Sequence, residues 1–199
     1  MIREGVNRYD PSKIRKSASQ RLFEKTGVVR DKSKPCVFVS HISSDIKAAI
    51  EIGKYVKSFG IDIYLDVEDQ DLQKAAQDQN HALITEFIDA GIFSSTDLLV
   101  IISEATKASW WVPYEIGFGK AQQLTLGALP LKSVRLPSYL KLAKTISGFK
   151  SLDTYLEKIA LRGAGSDILK KTIVEMAFGS SSLKKIAGNH PMDPYLEKS

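Results

Sequence analysis

Short apolar runs alternate with stretches of helical periodicity through the middle of the chain, and this alternation narrows the folds that the chain can adopt. Three runs predict strands: 37–39, 61–65 and 98–102. After each run, apolar side chains recur at every third or fourth position, in segments that open near Asp45, Leu83 and Tyr114. Strands and helices that alternate in this way build a parallel sheet with helices on both faces. The sequence therefore predicts a three-layer α/β fold.

The pattern is weaker after Gly127, where two short apolar groups, 129–131 and 134–136, are candidates for strands. Residues 152–161 and 167–178 show helical spacing, and the polar stretch 179–199 is expected to be a loosely held tail. We therefore expect three parts along the chain. They are a basic extension over 1–34, a domain over 35–165, and a C-terminal helical segment and tail over 166–199.

Composition favours an ordinary soluble globular protein, because 43% of the 199 residues are hydrophobic and 26% are charged. No apolar run is long enough to span a bilayer, and the first residues lack the apolar core of a secretory signal. Cys36 is the single cysteine, so this chain alone can form neither a disulfide nor a thiolate metal site. We expect a cytoplasmic protein in which Cys36 is a small buried core residue.

The positive charge of the chain is concentrated in the extension over 1–34. Ten basic and four acidic residues give this segment a charge of +6, so the remainder carries −1 of the total of +5. A basic arm can bind nucleic acid or anionic lipid. Here the four acids interrupt the run, and no more than two basic residues are adjacent. We favour a solvated segment, which includes a short helix near 13–25, over a nucleic-acid or membrane partner.

The segment 109–115 places an acid, Glu115, directly after the third predicted strand and beside Trp110 and Trp111. Carboxylates are rarely buried, and ligands of α/β proteins bind where strands end. A helix could equally favour an acid near its N-terminus through its dipole, which contributes about 0.3–1 kcal/mol. The tryptophans and the strand end make us favour a catalytic role for Glu115.

Four blocks of the sequence resemble, in order and spacing, a TIR (Toll/interleukin-1 receptor-like) domain. The first strand with its Ser and Asp loop lies at 37–45, and the second strand with its terminal Asp at 60–66. The third strand with its flanking serines lies at 88–103, and a Ser-x-Trp-x-x-x-Glu signature at 109–115. The resemblance covers about 35–125. It implies a flavodoxin-like fold with a parallel sheet of about five strands, here with an N-terminal helical extension and C-terminal helices.

Many bacterial and plant members of this family, and at least one animal branch, cleave NAD+ between nicotinamide and ribose with a glutamate at this position, whereas scaffold members commonly lack it. The resemblance thus implies that Glu115 is the catalytic residue of an NAD+ glycohydrolase or ADP-ribosyl cyclase. NAD+ would be the substrate, and no cofactor or metal is expected. Standalone bacterial members of this size resemble the signal-producing subunit of antiviral systems such as Thoeris, which makes an ADP-ribose-derived messenger for a separate nucleotide-sensing effector. Self-association through TIR surfaces is also expected.

Five further residues are predicted to bind the dinucleotide: Ser40, His41, Asp66, Ser109 and Trp111. The first three follow the first two strands, whose ends converge at the switch point of a doubly wound sheet. Trp111 stands four positions before Glu115 and could stack on a ring, and Ser109 could donate to ribose or to Glu115. A structural alternative stays open for Asp66, as a loop cap, and for His41, as a packing residue.

Several other residues are expected to have structural roles. Trp110 is expected to fill the core or the surface, and His81 to be a polar residue near a helix N-terminus. Val112 replaces the usual Cys of the signature, and Ile42 stands where many eukaryotic members carry Arg.

Two other functions compete with NAD+ cleavage. One is a non-catalytic TIR interaction module, and the other is a nucleoside deoxyribosyltransferase-like enzyme, which shares the fold and a catalytic Glu. The sequence leaves the product open between linear, cyclic and base-exchanged ADP-ribose.

Overall fold

The computed structural model describes residues 3–8, 31–65, 78–163 and 190–198, and these form one parallel sheet with helices on both faces. The strands are β1 (Cys36–Ser40), β2 (Asp62–Tyr64), β3 (Asp97–Ile102), β4 (Thr125–Pro130) and β5 (Lys144–Thr145). The helices are α1 (Ile46–Ser58), α2 (His81–Phe93), α3 (Trp111–Ala121) and α4 (Phe149–Gly163). The spatial order is β2-β1-β3-β4-β5, with every pair parallel. This confirms the predicted flavodoxin-like architecture.

Two apolar layers lie on opposite faces of the sheet and explain why its central strands are continuous apolar runs. Helices α1 and α4 cover one face, and helices α2 and α3 cover the other. Every residue of β1 and of β3 is buried, as expected for strands covered on both sides. Side chains of β3 alternate between the layers, with Leu99 and Ile101 on the α1/α4 side and Leu98 and Val100 on the α2/α3 side.

The direction of each connection positions the functional edge of the sheet. After β1 the chain passes to α1 on one face, whereas after β3 it passes to α3 on the other face. Neighbouring connections that diverge in this way open a crevice beyond the carboxyl ends of the two strands. The residue that ends β1 is Ser40, and it pairs in register with Val100 of β3.

The described part of the N-terminal extension lies beside β2. Asn7 forms a parallel bridge with Ile63, and its side-chain amide donates to the carbonyl oxygen of Leu65 at 2.7 Å and accepts from the Leu65 N–H at 3.1 Å. Arg3 and Arg8 both pair with the buried carboxylate of Asp62. At least two basic residues of the extension therefore form ion pairs that hold the extension against β2. The predicted helix near 13–25 lies outside the described residues.

Three expectations for the C-terminal half need correction. Residues 134–136 form no strand, whereas the two-residue β5 escaped prediction because both of its residues are exposed. Residues 190–198 are not a loose tail, because Met192 and Leu196 are buried against α1 and α4. Helix α3 begins at Trp111, three positions before the predicted start. The predicted helix 167–178 is outside the described residues.

Candidate active site

Glu115 is a buried acid on the sheet-facing side of α3. It lies within one helical repeat of Val112, Ile116 and Gly119, the three other buried positions of that helix, and it is 6% exposed. The helix approaches the sheet closely, since a Cβ placed on Gly119 would lie 2.8 Å from Leu98 Cδ2. Glu115 is the fifth residue of α3, beyond the first turn where the helix dipole acts most strongly. The dipole alone therefore does not account for an acid at this position.

The carboxylate of Glu115 reaches the carboxyl end of β1. Its Oε2 accepts a hydrogen bond from the hydroxyl of Ser40, the last residue of that strand, which is 1% exposed. A buried carboxylate needs donors to replace the water that it gives up. The crevice between β1 and β3 thus holds a carboxylate and a hydroxyl in direct contact.

Ser109 and Trp111 flank this acid at the start of α3. The Ser109 hydroxyl accepts from the backbone N–H of Val112 at 3.3 Å, as a residue just before a helix does when it satisfies a terminal donor. Trp111 is half-buried, with its ring centroid 6.2 Å from that of Tyr114 in an edge-to-face arrangement. Ser109 thus orders the start of the helix that carries Glu115.

The two histidines near this edge of the sheet make local contacts. His41 Nδ1 lies 3.2 Å from the carbonyl oxygen of Val39, so its ring folds back on the strand that it follows. His81 is the first residue of α2, and its ring centroid is 6.1 Å from that of Trp111. The expectation that His81 lies near a helix N-terminus is confirmed. Asp66 lies outside the described residues, directly after Leu65.

Trp110 is not a core residue, because it is 91% exposed at the N-cap of α3. Tyr114, on the next turn, is 37% exposed, and its hydroxyl donates to Asp89 at 2.7 Å. Burial of Asp89 raises the pKa of its carboxyl, and the hydrogen bond from Tyr114 partly opposes this rise. The outward side of α3 beside the candidate acid is therefore aromatic.

The loop between β3 and α3 is fixed by its own hydrogen bonds. Thr106 is buried, and its hydroxyl accepts from the Ser103 N–H at 2.9 Å. Lys107 and Glu104 pair on its surface. No group of three or more His, Cys, Asp or Glu in the described ranges could hold a metal ion.

Sequence reasoning named both partners of the central contact but did not pair them. The sequence leaves Ser109 as a possible donor to ribose or to Glu115. In the structure, Ser40 from the neighbouring strand donates to Glu115, and Ser109 accepts from the Val112 N–H. The contact between Ser40 and Glu115 follows from the strand order, because Ser40 ends β1, Glu115 follows β3, and these two strands are adjacent. Chemically, the pair can present a fixed negative charge to a group that becomes positive.

Comparison with known proteins relates residues 38–135 to the family described as "Thoeris protein ThsB, TIR-like domain". A curated protein of Bacillus cereus (strain MSX-D12), named "Probable 3' cyclic ADP-D-ribose synthase ThsB'", is 28% identical over 125 residues. That alignment covers 61% of this chain and 63% of the relative, so the chain spans less than two thirds of the length of the relative. No solved structure matches the chain. Within the described ranges, every helix is too short or too polar to cross a membrane.

Proposed function

We propose, from the match of residues 38–135 to the TIR-like domain of the Thoeris protein ThsB, that the chain cleaves NAD+ at the bond between nicotinamide and ribose. Glu115 is the catalytic residue, and Ser40 holds its carboxylate. The single observation that carries the proposal is the burial of Glu115 at the divergence of β1 and β3, in contact with Ser40.

The reaction needs one carboxylate and no general acid. As the glycosidic bond breaks, its electron pair leaves with nicotinamide, which departs as a neutral base, and positive charge develops on the ribose. A carboxylate held beside that cation stabilises the transition state, and scarce water strengthens the interaction. One such group typically contributes about two to three decades in rate. Among the residues that the structure describes, Glu115 is the acid buried at this strand end, which supports a mechanism with one carboxylate.

The product depends on which nucleophile then attacks the ribose cation. Water gives linear ADP-ribose and releases one proton, whereas an atom of the ADP-ribose itself closes a ring and loses its own proton. The name of the Bacillus cereus relative, a cyclic ADP-ribose synthase, favours the cyclic product. The resemblance of residues 38–135 to a Thoeris protein supports a role in antiviral defence, in which the chain makes a messenger for a separate nucleotide-sensing effector.

Four neighbours complete the proposed site. Trp111 begins α3 four positions before Glu115, His41 and Asp66 follow β1 and β2 in the sequence, and Ser109 accepts a hydrogen bond from the first turn of α3. The ring of Trp111 can stack on nicotinamide or ribose.

Mass spectrometry of NAD+ incubated with the protein tests the proposal. Wild-type protein is expected to release nicotinamide and an ADP-ribose product, and the mass of that product separates cyclisation from hydrolysis. Glu104→Gln is the matched control, because it removes a carboxylate from an exposed ion pair in the preceding loop. Intact NAD+ in the presence of assembled wild-type protein would contradict the proposal.

A second candidate function is a non-catalytic interaction module, and one observation favours it. Trp110 and Tyr114 expose aromatic surface on the outward side of α3, which a purely catalytic helix does not require. Self-association and NAD+ cleavage, measured for Trp110→Ala, test whether this surface serves assembly. Loss of self-association with NAD+ cleavage intact would assign that surface to assembly and the crevice to chemistry.

A further inference from the structure

A second crevice lies beyond the carboxyl ends of β4 and β5, at the edge of the sheet. The connection after β4 packs on the α2/α3 face through Leu140 and Ala143, whereas the connection after β5 passes to α4 on the opposite face. The segments that follow these two strands therefore border this space from both faces of the sheet.

A groove of about 500 Å³ occupies this second crevice. Its walls come from the segment after β4, from β5 and the residues that follow it, and from Glu197 of the C-terminal segment. Pockets of roughly 300–1,000 Å³ accept small-molecule ligands. The groove is large enough for one nucleotide.

Three kinds of group meet in the groove. Three aliphatic residues line it, Leu131, Val134 and Leu136, here called the aliphatic wall. The basic residue Arg135 and the acidic residue Glu197 line it as well. Arg135 is exposed and has no ion-pair partner among the residues that the structure describes. A guanidinium binds phosphate through paired hydrogen bonds, and a carboxylate accepts hydrogen bonds from ribose hydroxyls. The aliphatic wall suits the face of a base.

We propose that the second crevice is a nucleotide-binding site, in which Arg135 holds a phosphate, Glu197 accepts from the ribose hydroxyls and the aliphatic wall carries the base. The site extends the proposed function without depending on it, because binding here requires no bond to be cleaved.

Strand register relates the two crevices. Ser40 pairs with Val100, Val100 with Ala128, and Ala128 with Thr145, which lines the groove. Three strand spacings separate the ends of this row, or about 14 Å. The nucleotide can therefore have two sources. It is either the adenylate half of an NAD+ whose nicotinamide half lies at Glu115, or a separate nucleotide.

The C-terminal segment keeps Glu197 at the groove. The Phe149 N–H donates to the carbonyl oxygen of Glu197 at 3.0 Å, and the Lys132 N–H donates to that of Tyr195 at 3.0 Å. Leu196, beside Glu197, is buried in the α1/α4 layer. The backbone around Glu197 is thus bonded to the start of α4 and to the segment after β4.

Calorimetric titration of the full chain with adenosine monophosphate tests the site. The wild type is expected to bind, and Arg135→Ala is expected to weaken binding by at least about tenfold, because a charge-assisted contact is lost. Lys158→Ala is the matched control, since it removes one exposed positive charge from α4 and should bind as the wild type does. Glu197→Gln provides a second variant that alters the other side of the groove, and should weaken adenosine monophosphate more than inorganic phosphate.

Titration of NAD+ into Glu115→Gln identifies the source of the nucleotide, when binding is compared between this variant and the double variant that also carries Arg135→Ala. Weaker binding of both NAD+ and adenosine monophosphate assigns the groove to the far half of the dinucleotide. Weaker binding of adenosine monophosphate alone assigns it to a separate nucleotide. Failure of the wild type to bind at millimolar concentration, or equal binding by wild type and both groove variants, would overturn the site. Absence of NAD+ cleavage would count against the proposed function and leave this result intact.

Discussion

The Ser40 hydroxyl donates a hydrogen bond to the Glu115 carboxylate across 75 positions of sequence. The two residues meet because β1 and β3 are neighbours and their connections leave on opposite faces. The contact ties the helix that carries the acid to the strand end at the centre of the sheet. Two predictions depend on it directly, one on Ser40 and one on Glu115.

Ser40→Ala removes a donor from the buried carboxylate while leaving its charge in place. We expect the rate of NAD+ cleavage to fall about ten- to a hundredfold, because the acid loses a charge-assisted hydrogen bond that orients it. The free energy of unfolding should fall by about 1–3 kcal/mol for the same reason. Ser94→Ala, which removes an exposed hydroxyl bonded to its own helix, is the control and should change neither quantity. Unchanged cleavage by Ser40→Ala would separate Ser40 from catalysis.

Much of this arrangement follows from the sequence, for identifiable reasons. Strands β1 and β3 were predictable because a strand buried on both faces is a continuous apolar run. Strand β5 was not, since Lys144 and Thr145 are both exposed and have no apolar pattern. The acid was found from its neighbours, but its partner Ser40 was not, because a contact between distant segments depends on strand order.

The C-terminal segment shows why a local sequence pattern can fail to predict packing. Met192 and Leu196 are spaced four apart, as on one side of a helical turn, but two prolines nearby favoured a loose tail. Packing of Met192 and Leu196 against α1 and α4 holds the segment in place despite the two prolines. Such tertiary contacts cannot be read from nine residues alone.

Removal of Arg162 is expected to destabilise the protein strongly. Arg162 Nη2 donates to both carboxylate oxygens of Asp97, at 2.7 and 2.6 Å, and Asp97 is 0% exposed. Arg162→Ala leaves that buried carboxylate without its cation, which costs about 3–5 kcal/mol. Urea denaturation measures the change. Lys54→Ala breaks the exposed pair with Glu51 and should cost less than about 1 kcal/mol. Equal effects of the two variants would contradict this account of Asp97.

Two glycines should respond to alanine with opposite signs. A Cβ at Gly91 would lie 2.5 Å from both Phe38 Cε2 and Tyr64 Cε1, so Gly91→Ala should lower the free energy of unfolding by about 1–3 kcal/mol. A Cβ at Gly117, within α3, would meet nothing within 4 Å. Gly117→Ala should therefore raise stability by about 0.5–1 kcal/mol, because alanine restricts the unfolded chain. Thermal denaturation decides, and a loss of stability in Gly117→Ala would show that the helix cannot accept the methyl group.

Cys36 should be inert in the native protein. Burial raises the pKa of its thiol to about 12, so almost no thiolate exists at pH 8. A chromogenic disulfide reagent is expected to react only after denaturation, whereas an added Ser94→Cys thiol on the exposed surface should react at once. Because the folded pKa lies above the unfolded value, the contribution of this group to stability is complete below about pH 8.5 and is lost as pH rises toward 12. Rapid reaction of native Cys36 would contradict its burial.

The catalytic role of Glu115 is tested most directly by nicotinamide release from NAD+ by Glu115→Gln, measured beside wild type and Glu104→Gln under identical assembly conditions. Glutamine keeps the shape of the side chain and removes its charge, so we expect release to fall by at least about a hundredfold, the scale of one lost electrostatic contribution. Glu104→Gln should match the wild type. Release by Glu115→Gln at the wild-type rate would show that the buried carboxylate is not the catalytic group.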